Sequence, residues 1–272
     1  MMKFDSKRAV SFLAVLNLIF AFGLFLSGAI SGVLSSIIYI LACVVPLVLG
    51  YRSSREQNGD GDFLGFKGMG GVLPFMAPTL LLIMGVAYLT SLFITFATGK
   101  SNDIDLGTNV LLAILTHALL PAVFEEAMFR YLPLRVMRGE SVGRTVLWSA
   151  IFFSLVHHSF FSIPYAFLAG VIFMILDIYS GSVWPSVILH FINNTLSVLW
   201  YFYGSSQAFS WILYSVLGVL SLVSIAYVIL KKDKYKAFAT ELVSEKPKLE
   251  NTPEVWIFIS AMVIIAVMEL FL

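Results

Sequence analysis

Nine apolar stretches follow one another along this chain, most of them long enough to cross a lipid bilayer as a helix. A transmembrane helix needs about 20 predominantly apolar residues to cover the hydrocarbon core. The predicted spans are residues 9–30, 33–50, 72–97, 108–129, 146–161, 164–179, 183–203, 208–230 and 255–272. No segment alternates apolar and polar residues over a useful length, as the strands of a transmembrane β-barrel do. Because the fifth and sixth stretches are short, the sequence predicts an all-α, polytopic integral membrane helix bundle of about eight to nine spans, with residues 1–272 as a single membrane domain.

The composition agrees with a membrane protein and excludes some partners. Only 12% of the residues are charged and 59% are apolar, whereas a soluble domain is typically about 25% charged. The formal net charge of +1 gives no support to nucleic-acid binding. The single cysteine, Cys43, excludes an intrachain disulfide and is interpreted as a small buried hydrophobe. The first apolar run is longer than the core of a signal peptide, so we expect it to be a retained span.

Lysine and arginine in the connections predict the orientation of the bundle, because cytoplasmic loops carry an excess of both. They cluster before span one and after spans two, four and eight. These residues are Lys3, Lys7, Arg8, Arg52, Arg55, Lys67, Arg135, Arg138, Arg144, Lys231, Lys232, Lys234 and Lys236. If nine spans alternate, every cluster falls on one side. The pattern predicts a multi-pass plasma-membrane protein with a cytoplasmic amino terminus, a cytoplasmic linker over 231–254 and a C-terminal transmembrane helix over 255–272.

The stretch FEEAMFR, residues 124–130, places two carboxylates and a guanidinium inside the fourth span. An ionised group at the bilayer centre costs about 2.5–3.5 kcal/mol on insertion scales, so such groups suggest function. Glu126 and Arg130 are four residues apart and can form an ion pair on one helix face. Glu125 points about 100° away from its neighbour. The spacing therefore predicts that arginine neutralises Glu126, whereas Glu125 is available as a general base.

Two further motifs supply partners for Glu125. Residues 139–143 are interpreted as the turn of a helical hairpin, with Glu125 lying 14 residues before the turn and His157 lying 14 after it. At equal helical rise the two side chains reach about the same depth. His190 and Asn194 are four residues apart and can both present N–H donors. We therefore predict a hydrolase site in which Glu125 and His157 activate water and His190 and Asn194 hold an oxyanion.

The remaining ionisable groups within the spans receive structural interpretations. Asp177 and Glu269 lie near the ends of their spans, from which carboxylates can reach the interface. We expect His158 to form a hydrogen bond with a neighbouring helix. His117 shares a face with Glu125 and can donate to a carbonyl group that Pro121 leaves unpaired. It is a candidate supporting residue.

Three stretches, taken together, resemble a known family. EEAMFR (125–130) matches an EExxxR motif, FSLVH (153–157) matches FxxxH, and HFINN (190–194) matches HxxxN. In this order, and all within spans, they are similar to the motifs of the CAAX protease and bacteriocin-processing family of intramembrane glutamic endopeptidases. The resemblance covers about residues 108–203, which we take as the catalytic core.

The resemblance implies an intramembrane peptide hydrolase in which Glu125 and His157 activate water. It implies that His190 and Asn194 form the oxyanion hole, with Glu126 and Arg130 in supporting roles. The implied substrate is a membrane-associated peptide or protein within the bilayer. The resemblance also allows a lipidated substrate, because some family members cleave prenylated CaaX proteins.

Three alternatives stay open at the level of sequence. No cofactor is expected, but the family was once treated as metalloproteases and Glu and His can bind zinc, although no HExxH pair is present. A non-catalytic bacteriocin-immunity or scaffold protein could retain the same motifs. A transporter could use Glu125 and Glu126 as a proton relay.

Overall fold

The computed structural model describes residues 6–30, 33–58, 63–66, 68–100, 106–244 and 250–271, so Lys3 and Lys67 lie outside it. Over these residues the chain forms helices and no strands, which confirms the predicted all-α class. The ten helices are α1 (Ser6–Ala29), α2 (Val33–Asn58), α3 (Met69–Thr98), α4 (Val110–Val136), α5 (Val142–Leu155), α6 (Ile163–Ser180), α7 (Trp184–Tyr203), α8 (Gln207–Leu230), α9 (Lys232–Ser244) and α10 (Pro253–Phe271).

Six of these helices, α1, α2, α3, α4, α6 and α8, contain segments long and apolar enough to cross a membrane. Each of the nine predicted spans coincides with a helix, and the tenth, α9, lies within the predicted linker. The fifth predicted span, 146–161, was wrong in its boundaries, because α5 runs from Val142 to Leu155. A polytopic membrane bundle is therefore confirmed, with a helix number close to the predicted one but not equal to it.

Several chain segments meet at one end of the bundle. Arg144 contacts both Ser6 and Glu140 there, which joins the start of α1 to the turn between α4 and α5. Three further hydrogen bonds tie other segments to this end: Ser11 Oγ to Thr252 Oγ1 at 2.9 Å, Tyr235 OH to Gly71 O at 3.3 Å, and Val183 N to Phe63 O at 2.9 Å. The lysine and arginine clusters that the structure describes lie next to these segments. This is the arrangement expected if successive spans cross the membrane in alternating directions. Which side of a membrane this end faces stays a prediction.

Aromatic side chains join α4 to the helices around it. The Phe129 ring of α4 meets Phe20 of α1 at 5.6 Å and Phe153 of α5 at 5.4 Å, both edge to face. The ring of Phe152, also on α5, meets Phe258 of α10 at 5.2 Å. Such pairs contribute about 0.5–1.5 kcal/mol beyond their buried area. They place the middle of α4, with its charged residues, inside the bundle.

Candidate active site

Two π-helical turns, Leu115–Leu119 and Ala127–Tyr131, flank the paired glutamates of α4. Each turn ends two residues before a proline, at Pro121 and Pro133. Proline has no N–H, and its ring clashes with the carbonyl group four residues earlier. The helix accommodates each proline by widening the preceding turn, so that Leu120 N–H bonds to Leu115 O and Leu132 N–H bonds to Ala127 O. Such turns frequently mark functional sites, and here they set the direction of both carboxylates.

Glu126 lies in a closed, fully buried cluster. Its Oε2 atom is 3.1 Å from Arg130 Nε, with both side chains 0% exposed, and its Oε1 atom is 2.6 Å from His190 Nδ1. The Arg130 guanidinium lies over the ring of Phe153, 4.3 Å from its centre, and 5.6 Å from that of Phe173. A guanidinium over aromatic faces gains cation–π stabilisation when it is desolvated. Glu126 is thus held by two basic partners at once.

Glu125 has different surroundings from its neighbour. Its side chain is 18% exposed, and Oε2 lies 4.0 Å from His190 Nε2. Within the described part of the chain, this buried oxygen has no hydrogen-bond partner. A buried carboxylate oxygen without a donor is free to accept a proton or a hydrogen bond from a bound molecule.

His157 lies in the turn that follows α5, not within a helix as predicted. Its Nδ1 atom is 2.8 Å from Phe153 O, and the two rings meet edge to face at 4.8 Å. A carbonyl oxygen can only accept, so Nδ1 carries the hydrogen and Nε2 is the acceptor of the neutral ring. His157 is therefore oriented by the chain and interacts electrostatically with Glu125.

Asn194 lies one helical turn beyond His190 on α7. Its Oδ1 atom accepts a hydrogen bond from Asn193 Nδ2 at 3.2 Å, which leaves its own amide N–H groups to donate elsewhere. The structure thus brings Glu125, Glu126, Arg130 and His190 into direct proximity. It places Asn194 on the same helix face as His190.

The interpretation of Asp177 as an interfacial residue was wrong. Its side chain is 0% exposed, and Oδ1 accepts the Ser186 N–H at 3.0 Å. The tight connection through Gly181 brings the first turn of α7 back onto the end of α6, where a carboxylate can accept a free helix N–H. A carboxylate just before a short interhelical turn is the signal that the sequence carried for this contact.

The two histidines outside the cluster have peripheral positions. His158 Nδ1 lies 3.9 Å from Glu269 Oε2, with the side chains 38% and 50% exposed, so α5 and α10 meet here through a partly exposed pair. Glu269 is thus exposed near the end of its helix, as expected. His117 is exposed on the first π-helical turn.

The His, Cys, Asp and Glu side chains that the structure describes do not form a typical metal-binding group. Among the residues that the structure describes, no three His, Cys, Asp or Glu side chains converge to hold an ion. Protein zinc sites use three or four such ligands. Independence of metal and the zinc alternative both stay predictions for this cluster, and sensitivity to a chelator distinguishes them.

The structure also has an apolar groove of about 520 Å³, whose walls do not include the side chains of the cluster. It lies between α2, α4 and the start of α7, and Arg52 is the charged residue in its wall. Val123 and Ala127 line it within one turn of Glu126, and Val187 lines it within one turn of His190. The groove is of a size and character suited to a small apolar ligand segment.

Residues 107–196, about a third of the chain, match the family model described as Rce1-like, type II CAAX prenyl endopeptidase. The matched region contains all seven defining residues of the three motifs and both π-helical turns. Comparisons with the curated proteins and with the solved structures gave no match.

Proposed function

We propose that the chain is an intramembrane endopeptidase of the CAAX protease family that cleaves a membrane-associated peptide or protein, because residues 107–196 match the model of type II CAAX prenyl endopeptidases. One observation carries the proposal: the two adjacent carboxylates have unlike surroundings. Glu126 is fully buried and contacts Arg130 at 3.1 Å and His190 at 2.6 Å, whereas Glu125 is 18% exposed and its Oε2 atom lies 4.0 Å from His190 Nε2. A purely structural ion pair needs only Glu126 and Arg130. Burying the additional carboxylate of Glu125 costs free energy.

The proposed mechanism is general-base hydrolysis. Glu125, assisted by His157 Nε2, takes a proton from water, and the water oxygen forms a bond to the peptide carbonyl carbon. In its imidazolium form, His190 donates Nδ1–H to Glu126 and Nε2–H to the developing oxyanion, and the Asn194 amide is the second donor. Glu125 then gives the proton to the leaving nitrogen as the C–N bond breaks. The products are a carboxyl group and an amine.

The apolar groove supports a substrate that comes from the bilayer. Its walls offer apolar contacts, and residues of those walls lie within one turn of both Glu126 and His190. We propose that the substrate segment next to the cleaved bond occupies this groove. We also propose a plasma-membrane location in which the basic end of the bundle and the amino terminus face the cytoplasm, following the positive-inside rule.

The proposed function is tested by comparing membrane peptides from cells that produce the wild-type protein or Glu125→Ala at equal levels. Mass spectrometry should find peptides whose termini appear only with the wild-type protein, and these termini identify the cleaved bond. Identical peptide sets would contradict the proposal and favour the immunity or scaffold alternative.

Two other experiments test the remaining alternatives. Proton-coupled uptake into proteoliposomes that depends on Glu125 would favour the transporter. Inactivation by a chelator with recovery on adding zinc would restore the metal-dependent version.

Identical substitutions at adjacent histidines test the assignment of His157. We expect His157→Asn to lower kcat by about 10²-fold or more, because it removes an oriented proton acceptor. The matched variant His158→Asn should keep wild-type kcat, since His158 faces Glu269 at 3.9 Å and asparagine tolerates its positive φ of 36°. The measurement is the rate of cleavage of one peptide by the purified proteins in lipid nanodiscs. Equal losses in the two variants would contradict the role of His157.

A further inference from the structure

Asp177 is a second fully buried carboxylate that the proposed mechanism does not use. It lies in the last turn of α6 with 0% exposure, and its Oδ1 atom accepts the Ser186 N–H at 3.0 Å. Its other oxygen has no hydrogen-bond partner among the described residues. A desolvated carboxylate in the interior is retained when its contacts have a specific role.

Ser186 connects Asp177 to the active-site cluster. It is fully buried in the first turn of α7, and its hydroxyl donates to Val183 O at 2.8 Å. The group that bonds to Asp177 is the Ser186 backbone N–H, because the hydroxyl donates to Val183 O. Asp177 therefore holds the main chain of α7 at Ser186, one helical turn before His190.

The position of Ser186 also determines that of His190. The two residues are four apart on α7 and share one face. His190 Nδ1 contacts Glu126 Oε1 at 2.6 Å, which leaves Nε2 directed towards Glu125 at 4.0 Å. A small rotation or shift of this turn would move the imidazole relative to both glutamates.

We infer that Asp177 is a positioning residue of this site: by holding Ser186, it fixes the first turn of α7 so that His190 bridges Glu126 and Glu125. The inference rests on the proposed function for its catalytic consequence. The orientation of the His190 ring, which is the geometric part of the inference, can be measured whether or not the protein cleaves a peptide. A displacement of about 1 Å in a reacting group can lower a rate by about 10²-fold.

Three substitutions separate positioning from a general structural effect. Asp177→Asn keeps an Oδ1 acceptor for the Ser186 N–H, whereas Asp177→Leu has similar volume and no acceptor. Ser54→Ala is the control, because it removes a different buried interhelical hydrogen bond, the one from Arg135 Nε at 3.1 Å. Each protein is labelled with ¹⁵N-histidine in nanodiscs, and the Nδ1–H resonance of His190 is recorded together with kcat and KM for a cleaved peptide.

We expect Asp177→Leu to lose or shift the His190 Nδ1–H resonance and to lower kcat by about 10²-fold at nearly unchanged KM. Asp177→Asn and Ser54→Ala should keep the resonance. A folded Asp177→Leu protein with an unchanged resonance would overturn the inference. If that variant does not fold, Asp177→Ala replaces it, because it also removes the acceptor of the Ser186 N–H, and an unchanged resonance there has the same meaning. A wild-type protein that shows the resonance but cleaves nothing contradicts the proposed function and not the positioning.

Discussion

Substitution of Glu125 by glutamine should lower kcat by about 10²–10⁴-fold, the range typical of a removed general base. Glutamine has nearly the same shape and can still accept a hydrogen bond, but it cannot take a proton from water. Because Glu125 has no ion pair as tight as that of its neighbour, the fold should tolerate the change. KM should stay near its wild-type value, since the side chain acts on water and not on the substrate groove. The measurement is steady-state cleavage, in nanodiscs, of a peptide identified by mass spectrometry.

The control for this prediction is Glu269→Gln, which neutralises an exposed carboxylate that lies 3.9 Å from His158. It changes the formal charge by the same amount and should leave both kcat and thermal stability unchanged. A Glu125→Gln protein that cleaves at the wild-type rate would remove the basis for the proposed mechanism. A loss of activity accompanied by unfolding would instead assign Glu125 a structural role, and circular dichroism during heating distinguishes the two results.

Hydropathy predicted the helices of this chain well, because a bilayer fixes the length of an apolar segment that must cross it. Helical periodicity also predicted that Glu126 would meet Arg130 and that Glu125 would point elsewhere, since both follow from 3.6 residues per turn. Neither argument requires knowledge of the packing. They depend only on local geometry and on the solvent around the helix.

The features that the sequence did not predict depend on departures from regular helix geometry or on long-range packing. Pro121 and Pro133 are evident in the sequence, but the widened turn before each of them was not predicted. His157 was expected within a helix, yet α5 ends at Leu155 and the histidine occupies the following turn. The matching of residue counts across the hairpin therefore assumed a helical geometry that His157 does not have.

Asp177 shows why position along a span is a weak guide to burial. A carboxylate near a helix end can reach water when the end is exposed, but here the next helix begins immediately and covers it. The contact joins residues nine apart through a sharp turn. Neither hydropathy nor helical periodicity describes such a turn. Its identification required the arrangement of α6 and α7 in space.

Replacement of Arg130 by methionine should destabilise the fold by about 3–5 kcal/mol, because it leaves the buried charge of Glu126 without its main partner. Methionine can occupy much of the space between Phe153 and Phe173, so lost packing is a small part of the effect. The double variant Glu126→Gln/Arg130→Met should recover most of this loss, since a neutral pair requires no compensating charge. The measurement is the free energy of unfolding in mixed micelles at a fixed lipid-to-detergent ratio.

Another Glu–Arg pair among the residues that the structure describes gives a matched control for this prediction. Glu140 and Arg144 have the same four-residue spacing, but their side chains are 19% and 17% exposed at the end of the bundle. Partly hydrated pairs contribute about 0–1 kcal/mol, so Arg144→Met should change the unfolding free energy by no more than that. Similar losses at Arg130 and Arg144 would show that burial does not strengthen the Glu126–Arg130 pair. In that case, the different roles proposed for Glu125 and Glu126 would have no electrostatic basis. Arg130 would stabilise Glu126 no more than Arg144 stabilises Glu140.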